Sequence, residues 1–357
     1  MKRFDAFQGL RAVAFALVFI SHCTGFIPVR SGGHGAIGVE IFLVLSGFLV
    51  EMHFKEQDDR SLISQALQYT KKKISKFYGL HILTTLVALI PAAMTLISDF
   101  SLGKLTERFL HLLANLLLVQ SWIPHKEVYF SLNAVAWYLS TCVFLYFLSP
   151  FLHKVIRSVR KNESKTILIL VLFVGQVILA SSLRSNEYLH PVVYIHPLTR
   201  WVDFMAGMLL ASIYKTQAVQ IRHNNVAETV AVVLLGVAVY LFNRLSVAYS
   251  YVALSAPAAW ALVFILAYQQ GYVSRLLSCR VLTFLGNISF EMFMIHLLVI
   301  RSWEYAQWVA RRIFGRPIPR ILSALCVFAI TVVGARLIQK VMTTMKKKKQ
   351  EAVHERE

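Results

Sequence analysis

Apolar runs long enough to cross a membrane recur along this chain. About 20 apolar residues in a helix span the roughly 30 Å of hydrocarbon in a bilayer. Because hydrocarbon offers no hydrogen-bond partners, such runs must satisfy their backbone groups as helices. The sequence therefore predicts an all-α, polytopic integral membrane bundle of about ten transmembrane helices. The runs lie near residues 10–28, 36–53, 79–98, 133–153, 166–182, 198–214, 227–242, 251–268, 283–303 and 320–341.

The composition supports a membrane protein and argues against nucleic-acid binding. The chain is 57% hydrophobic and 15% charged, whereas soluble domains carry about 25% charged residues. The net charge of +19 comes from basic clusters between apolar runs, which is where the positive-inside rule places them. The four cysteines are far apart and form no CxxC pair, so neither a disulfide framework nor a metal site is expected.

The basic clusters also predict the orientation of the chain. Cytoplasmic clusters at 71–76, 154–165 and 346–349 fit ten crossings, with both termini cytoplasmic. The marginal run at 108–122 is then a half-inserted or interfacial helix, and the arginines between 311 and 320 lie outside. Arg11 interrupts the first run, which we interpret as an uncleaved span rather than a signal peptide. Residues 1–342 form the membrane domain, and residues 343–357 form a polar cytoplasmic tail.

Three ionisable residues stand in the first two runs. Arg11 and His22 are eleven residues apart, which places them on one helix face roughly 16 Å apart along the axis. Glu40 enters the second run, and Ser46-Gly47 interrupts it. Because an unpaired ionisable group in hydrocarbon is costly, such residues indicate a functional site. The sequence therefore predicts an internal polar cavity near these two spans.

The same residues carry a family resemblance. The stretch FDAFQGLRAVA, then His22, then GVEIFLVLSGF resembles the start of the acyltransferase-3 family in order and spacing. Later stretches also match, with WYLS at 137–140, RWVDFMAGMLL around Asp203 and LGNISFEMFMIH at 285–296. The resemblance implies a bacterial inner-membrane enzyme that acylates cell-surface sugars.

His22 is the predicted general base. An imidazole suits removal of a hydroxyl proton near neutral pH. The carboxylate of Glu40 is expected to fix the tautomer of that imidazole and stabilise the imidazolium. Arg11 is expected to hold the base, or to bind a phosphate or a developing oxyanion. The resemblance indicates the same Arg and His pair.

The resemblance also implies a basic donor-binding motif before the third span. Lys71 and Lys73 fit its spacing, and Lys76 follows them. Such a motif would engage the phosphates of a cytoplasmic acyl-coenzyme A, although a topology determinant is the plainer interpretation of the lysines. Lysine lacks the bidentate fork of arginine, and Tyr78-Gly79 stands where the family has Tyr-Pro.

Five further positions are candidates for substrate binding. Trp137 suits a sugar or pantetheine passage, but equally an interfacial aromatic belt. Glu291 and His296 lie about 140° apart on a helix and point to different contacts, with His296 a candidate neighbour of His22. Arg200 and Asp203 are interpreted as a simple i, i+3 pair. The five candidates are Ser46, Asn133, Trp137, Glu291 and His296.

These observations favour an O-acyltransferase, and specifically an O-acetyltransferase. The donor is expected to be acetyl-CoA or another acyl-CoA, and the acceptor a hydroxyl of a surface polysaccharide or its lipid-linked precursor. Membrane lipids and other envelope-polysaccharide enzymes are the expected partners. Direct transfer and an acyl-histidine intermediate both remain open. The alternatives are a proton-coupled transporter of an anion or lipid-linked sugar, and a structural scaffold.

Overall fold

The computed structural model describes residues 4–26, 34–55, 60–217, 219–242 and 244–354, with the backbone alone at 346–350 and 352–354. All regular elements in these ranges are helical. Short 3₁₀ turns occupy Gln120–Trp122 and Ala134–Ala136, and π-helical turns occupy His190–Ile195 and Ser250–Leu254. The helices are α1 (Asp5–His22), α2 (His34–His53), α3 (Leu62–Ser98), α4 (Leu102–Leu116), α5 (Lys126–Tyr129), α6 (Trp137–Ser158), α7 (Asn162–Ser182), α8 (Pro197–Lys215), α9 (Asn224–Phe242), α10 (Val247–Tyr249), α11 (Ser255–Leu266), α12 (Tyr272–Leu277), α13 (Arg280–Asn287), α14 (Ser289–Phe314) and α15 (Arg320–His354).

The prediction of an all-helical membrane bundle is confirmed. By length and composition, seven of the described helical segments can span a membrane, or eight if α13 and α14, bent by 70°, count as one span. Each of the ten apolar runs overlaps a described helix, and the first run continues past the end of α1 at His22 into residues 27–28, which lie outside the described ranges. The difference from about ten arises at α1 and α8, whose charged residues make them less apolar. The seven segments are His34–His53, Leu62–Ser98, Ala134–Ser158, Asn162–Ser182, Asn224–Phe242, Val247–Leu266 and Arg320–Met345.

Helix α2 lies at the centre of the bundle. In its apolar window 78% of residues are buried, compared with 22% in α7, α9 and α15. The outer helices therefore present apolar side chains outward, as lipid contact requires, while α2 packs on protein. A side chain on Gly47 would clash with the backbone carbonyl of Phe204, and one on Gly207 with that of Val44. These glycines bring α2 and α8 together backbone to backbone.

The marginal run at 108–122 does not form a long helix. Helix α4 has 15 residues, about 22 Å of rise, and it is not among the candidate spans. Its C-terminal end is held to α3, because the hydroxyl of Tyr78 donates to the carbonyl of Leu116 at 2.9 Å and Nε2 of His81 lies 2.9 Å from the carbonyl of Asn115. The chain then turns into the 3₁₀ segment that precedes α5.

The C-terminal segment differs from expectation in one respect. The predicted tail at 343–357 begins inside α15, whose backbone stays helical through His354. Consecutive lysines are good helix formers, so the helix continues beyond the apolar run. The side chains of Lys346–Lys349 and residues 355–357 lie outside the described part of the structure.

Candidate active site

Two histidines meet at the C-terminal end of α1. Nε2 of His296, on α14, lies 3.1 Å from Nδ1 of His22, and the ring centroids are 5.1 Å apart. The ring of His296 is fully buried and makes an edge contact with Phe15. The side chain of His22 is exposed to a cavity. The expected proximity of these two histidines is therefore observed.

Backbone carbonyls determine which nitrogen of each ring carries the proton. Nδ1 of His296 lies 2.7 Å from the carbonyl of Phe293, and a carbonyl can only accept, so this nitrogen is the donor. In a neutral ring Nε2 of His296 is then an acceptor, and it faces Nδ1 of His22. Nδ1 of His22 also lies 3.0 Å from the carbonyl of Val18, so it is again the donor. The lone pair of His22 therefore resides on Nε2, which has no hydrogen-bond partner among the described residues.

His22 opens into a cavity of about 590 Å³, which we call the histidine cavity. Its wall is rich in aromatic rings that contact one another. The centroids of Trp137 and Tyr194 are 5.1 Å apart, and the rings of Tyr194 and Tyr251 are stacked at 4.9 Å. An imidazole lone pair in an aromatic cavity can take a proton from a hydroxyl group that enters it.

Arg11 opens into two other cavities. The larger, about 950 Å³, is called the basic cavity, and the smaller, about 310 Å³, the middle cavity. They share five lining residues, so they are continuous. Of the described residues, no Asp or Glu lines the basic cavity, so its lining is strongly positive. Its cationic residues are Arg11, Lys55, Lys71, Lys72, Lys73 and Lys76.

The lysines of the basic cavity differ in their surroundings. Nζ of Lys73 lies 5.0 Å from the ring centroid of Tyr69 and 5.4 Å from that of Tyr146, which holds it by cation–π contact. Lys71 and Lys76 are exposed at the rim. Lys73 is therefore an oriented charge, whereas the rim lysines are mobile point charges.

The expectation that Glu40 assists His22 is wrong in its partner. Glu40 is buried, and its Oε2 accepts from Nη2 of Arg200 at 3.0 Å. Nη1 of Arg200 pairs with Asp203 at 2.9 Å, as the i, i+3 spacing predicted. Nε2 of Gln176 donates to Asp203 at 3.2 Å. A buried carboxylate is stabilised most by a buried guanidinium, so Glu40 is drawn to α8, while His296 and the Val18 carbonyl hold the ring of His22.

The other predicted substrate residues fall in different places. Ser46 lines both the basic and the middle cavity, and Trp137 lines the histidine cavity. Asn133 is buried and donates through Nδ2 to the carbonyl of Met294 at 2.9 Å, which ties the start of α6 to α14. Glu291 is half-buried and does not line these three cavities.

Sequence reasoning missed a group of residues at the outer end of the histidine cavity. A further cavity of about 650 Å³, the outer cavity, shares Phe130 and His190 with it. Nδ1 of His190 lies 3.1 Å from the hydroxyl of Tyr129. Burial, together with the charge of Lys126, lowers the pKa of His190 to about 4. His190 lies in a loop-flanked π-helical turn, where helical periodicity gives no signal.

Comparisons with known proteins agree with this architecture. The profile of the acyltransferase-3 family, described as an acyltransferase domain, matches residues 4–339. The acyltransferase MdmB of Streptomyces mycarofaciens is 26% identical over 324 residues, covering 84% of this chain and 79% of MdmB. No solved structure matches significantly. The chain therefore belongs to the acyltransferase-3 family of membrane acyltransferases.

Proposed function

We propose that the protein transfers an acyl group, in particular acetyl, from acyl-coenzyme A to a hydroxyl of a surface polysaccharide or its lipid-linked precursor. One observation carries this proposal. The unpartnered Nε2 of His22 faces a cavity that meets, at Phe293, the route from the basic cavity. A base and an anion-binding region are thus arranged along one path through the bundle.

The donor would enter through the basic cavity. Coenzyme A carries several phosphate charges at one end and a thioester at the end of a linear, uncharged arm. Arg11 and Lys73 would bind the phosphates through charge-assisted hydrogen bonds, with the rim lysines adding attraction. Apart from Arg11, Lys73 and Lys76, which it shares with the basic cavity, the middle cavity is lined by uncharged side chains such as Phe42 and Cys142, and this part suits the uncharged arm.

The reaction would be a base-assisted acyl transfer. Nε2 of His22 takes the proton of the acceptor hydroxyl while the hydroxyl oxygen attacks the carbonyl carbon of the thioester. The carbon–sulfur bond breaks, and the leaving thiolate receives that proton from His22. An ester and free coenzyme A thiol result, with no further reactant. His296 holds the ring of His22 in the tautomer that this step requires.

The acceptor would enter the histidine cavity from the opposite side. Trp137, Tyr194 and Tyr251 offer ring faces on which the apolar faces of a sugar can pack. His190 and Phe130 continue this surface into the outer cavity. This lining supports a glycan as the acceptor, and it supports a passage for the polymer or its lipid-linked unit along the outer face.

The basic clusters support an orientation with both termini in the cytoplasm of a bacterial inner membrane. The 71–76 cluster lines the basic cavity, and α6 runs from Trp137 past that cavity toward Lys154. Gln339 of α15 donates to the carbonyl of Asn287 beside the middle cavity, so the C-terminal lysines follow at the same end. By the positive-inside rule, that end would face the cytoplasm.

The test uses membranes that contain the full chain, radiolabelled acetyl-CoA and envelope glycan. The expected product is alkali-labile acetyl on the glycan, lost 10²-fold or more in His22→Gln. His223→Gln is the matched control, because His223 is exposed and lines none of the four cavities. A glycan that stays unlabelled while labelled substrate crosses the membrane would overturn the proposal in favour of transport. Ping-pong kinetics would indicate an acyl-histidine, and a ternary complex direct transfer.

A further inference from the structure

The histidine cavity and the middle cavity approach each other from opposite ends of the bundle. Phe293 of α14 lines both of them. One turn later Leu297 lines the histidine cavity alone, and one turn earlier Phe290 lines the middle cavity alone. Phe293 therefore stands at the boundary between the two cavities.

Two other helices cross the same boundary within a few residues. On α2, Val39 lines the histidine cavity and Phe42 the middle cavity, a separation of about 4.5 Å along the axis. On α6, the neighbours Trp137 and Tyr138 line the histidine and the middle cavity respectively. The partition between the cavities is therefore about one side chain thick.

Three aromatic rings form this partition. The ring centroid of Phe293 lies 6.1 Å from that of Phe42 and 5.4 Å from that of Tyr138, and Phe42 and Tyr138 are 6.5 Å apart. The interplanar angles are 73°, 60° and 58° in that order. Each ring thus meets the other two in the tilted or edge-on geometry of favourable aromatic contacts.

We propose that Phe42, Tyr138 and Phe293 form an aromatic gate between the two cavities, through which the acyl end of the donor must pass to reach His22. We call these three residues the aromatic gate. The idea rests on the proposed function, because only a donor bound in the basic cavity needs this passage. Within the gate, Phe42 and Phe293 would contact the acyl end of the donor. Their side chains would therefore determine which acyl chain lengths fit.

A closed gate would also protect the donor. Water that reached the thioester carbonyl would cleave the carbon–sulfur bond and give a carboxylate, a proton and coenzyme A thiol. An apolar partition keeps water of the histidine cavity from the thioester until the acceptor is bound. Loss of the partition should therefore raise hydrolysis of the donor in the absence of acceptor.

The first test needs no catalysis. Single cysteines are placed on each side of the gate, with Ser46→Cys in the basic and middle cavities and Ala134→Cys in the histidine cavity; both positions are half-buried. A charged, membrane-impermeant methanethiosulfonate is added to sealed vesicles on the side to which the basic cavity opens, called the lysine-rich face. Labelling at each cysteine is measured by peptide mass spectrometry. Of the two introduced cysteines, we expect labelling at position 46 alone, and labelling at both positions when Phe293→Ala or Phe293→Leu is added.

Phe290→Ala is the matched control, because it shortens a ring on the same helix that lines the middle cavity only. It should leave position 134 unlabelled from the lysine-rich face. Addition of the reagent to the opposite face should label position 134 in all variants, which verifies folding. If position 134 is labelled equally from the lysine-rich face in the parent and in the Phe293 variants, the proposal of an aromatic gate is overturned. That result would leave the acyl transfer of the proposed function intact.

The second test measures selectivity. Phe293→Leu should shift the ratio of kcat/KM for butyryl-CoA over acetyl-CoA upward by about tenfold, because methylene groups rejected by the ring now fit. Donor hydrolysis without acceptor should rise at least severalfold in the same variant. An unchanged ratio in an active variant that passes the labelling test overturns the selection role. Absence of any transfer in the parent protein would instead contradict the proposed function, and the labelling pattern would still decide the gate.

Discussion

His22 and His296 are 274 positions apart in the chain, yet their imidazole nitrogens lie 3.1 Å from each other. This contact replaces the histidine–carboxylate pair that the sequence predicted. A neutral acceptor orients the ring of His22 but offers no full negative charge to stabilise the imidazolium. His296 is therefore a positioning residue, whose removal should cost less than that of a buried carboxylate.

His296→Phe should lower kcat about fivefold to tenfold and leave KM for the acyl donor unchanged. The reason is the loss of one hydrogen bond of about 1 kcal/mol that holds the reactive tautomer. Steady-state kinetics in membranes measure both constants. His296→Gln, whose amide oxygen can still accept from Nδ1 of His22, should retain more activity than the phenylalanine variant. Equal losses in the two variants would contradict the positioning role.

Arg11→Ala should raise KM for acyl-CoA tenfold or more with little change in kcat, because a charge-assisted contact contributes about 1.5–3 kcal/mol. The effect should shrink as salt is added, since screening weakens the remaining attraction. Lys73→Ala should act in the same direction. The control is Lys154→Ala, an exposed lysine that lines none of the cavities. A rise in KM for that control as large as for Arg11→Ala would show that overall charge, not the cavity, attracts the donor.

Glu40→Gln should destabilise the fold while transfer per folded molecule persists. Removing one member of a buried ion pair costs about 3–5 kcal/mol, and Arg200 then keeps Asp203 as its one ionic partner among the described residues. Thermal unfolding in detergent, with activity normalised to folded protein, separates the two quantities. If activity vanished while the melting temperature held, Glu40 would be acting in catalysis, as the sequence had suggested.

Gly47→Ala should destabilise the protein by about 1–3 kcal/mol or more, because the added methyl group meets the backbone carbonyl of Phe204. The matched control is Gly175→Ala on α7, where nothing lies within 4 Å of an added Cβ. There alanine should be neutral or stabilising by up to about 1 kcal/mol, since it favours the helix. Comparable melting temperatures for the two variants would refute the close approach of α2 and α8.

Acid should weaken the fold through His190. Its pKa is about 4 in the folded state and 6.5 when solvated, so below pH 6.5 the unfolded chain binds a proton that the folded chain does not. The stability that depends on neutral His190 is complete above pH 6.5 and falls as the pH drops toward 4. As the pH is lowered from 7 to 5, the melting temperature of the parent should therefore fall more than that of His190→Gln. A difference in melting temperature that stays constant over this pH range would argue against a buried neutral His190.

Sequence periodicity predicted what is local. The shared face of Arg11 and His22 follows from a continuous α1, and the Arg200–Asp203 pair follows from i, i+3 spacing. Arg11 of the first span and Lys73 of the basic motif before the third span line one cavity, although the sequence alone did not place them together.

Contacts between distant helices were beyond that reasoning. From the sequence, Glu40 could pair with any buried cation. Its partner is Arg200, 160 positions away, because α2 packs on α8. The same holds for Glu51, whose carboxylate lies 2.7 Å from Nδ1 of His153. The residues of the outer cavity lie in turns and in the single-turn helix α5, so their convergence left no periodic pattern in the sequence.

The glycine contact between α2 and α8 limits how the helices of this protein can move relative to one another. Gly47 and Gly207 pack against opposing backbones, and Glu40 pairs with Arg200. These contacts hold α2 and α8 rigidly together on one side of the passage between the cavities. Sliding or rolling of either would drive main-chain atoms into each other. Widening of the passage therefore requires movement of α14, which starts after a 70° bend from α13 and carries both Phe293 and His296. Movement there would shift the partition and the imidazole contact together.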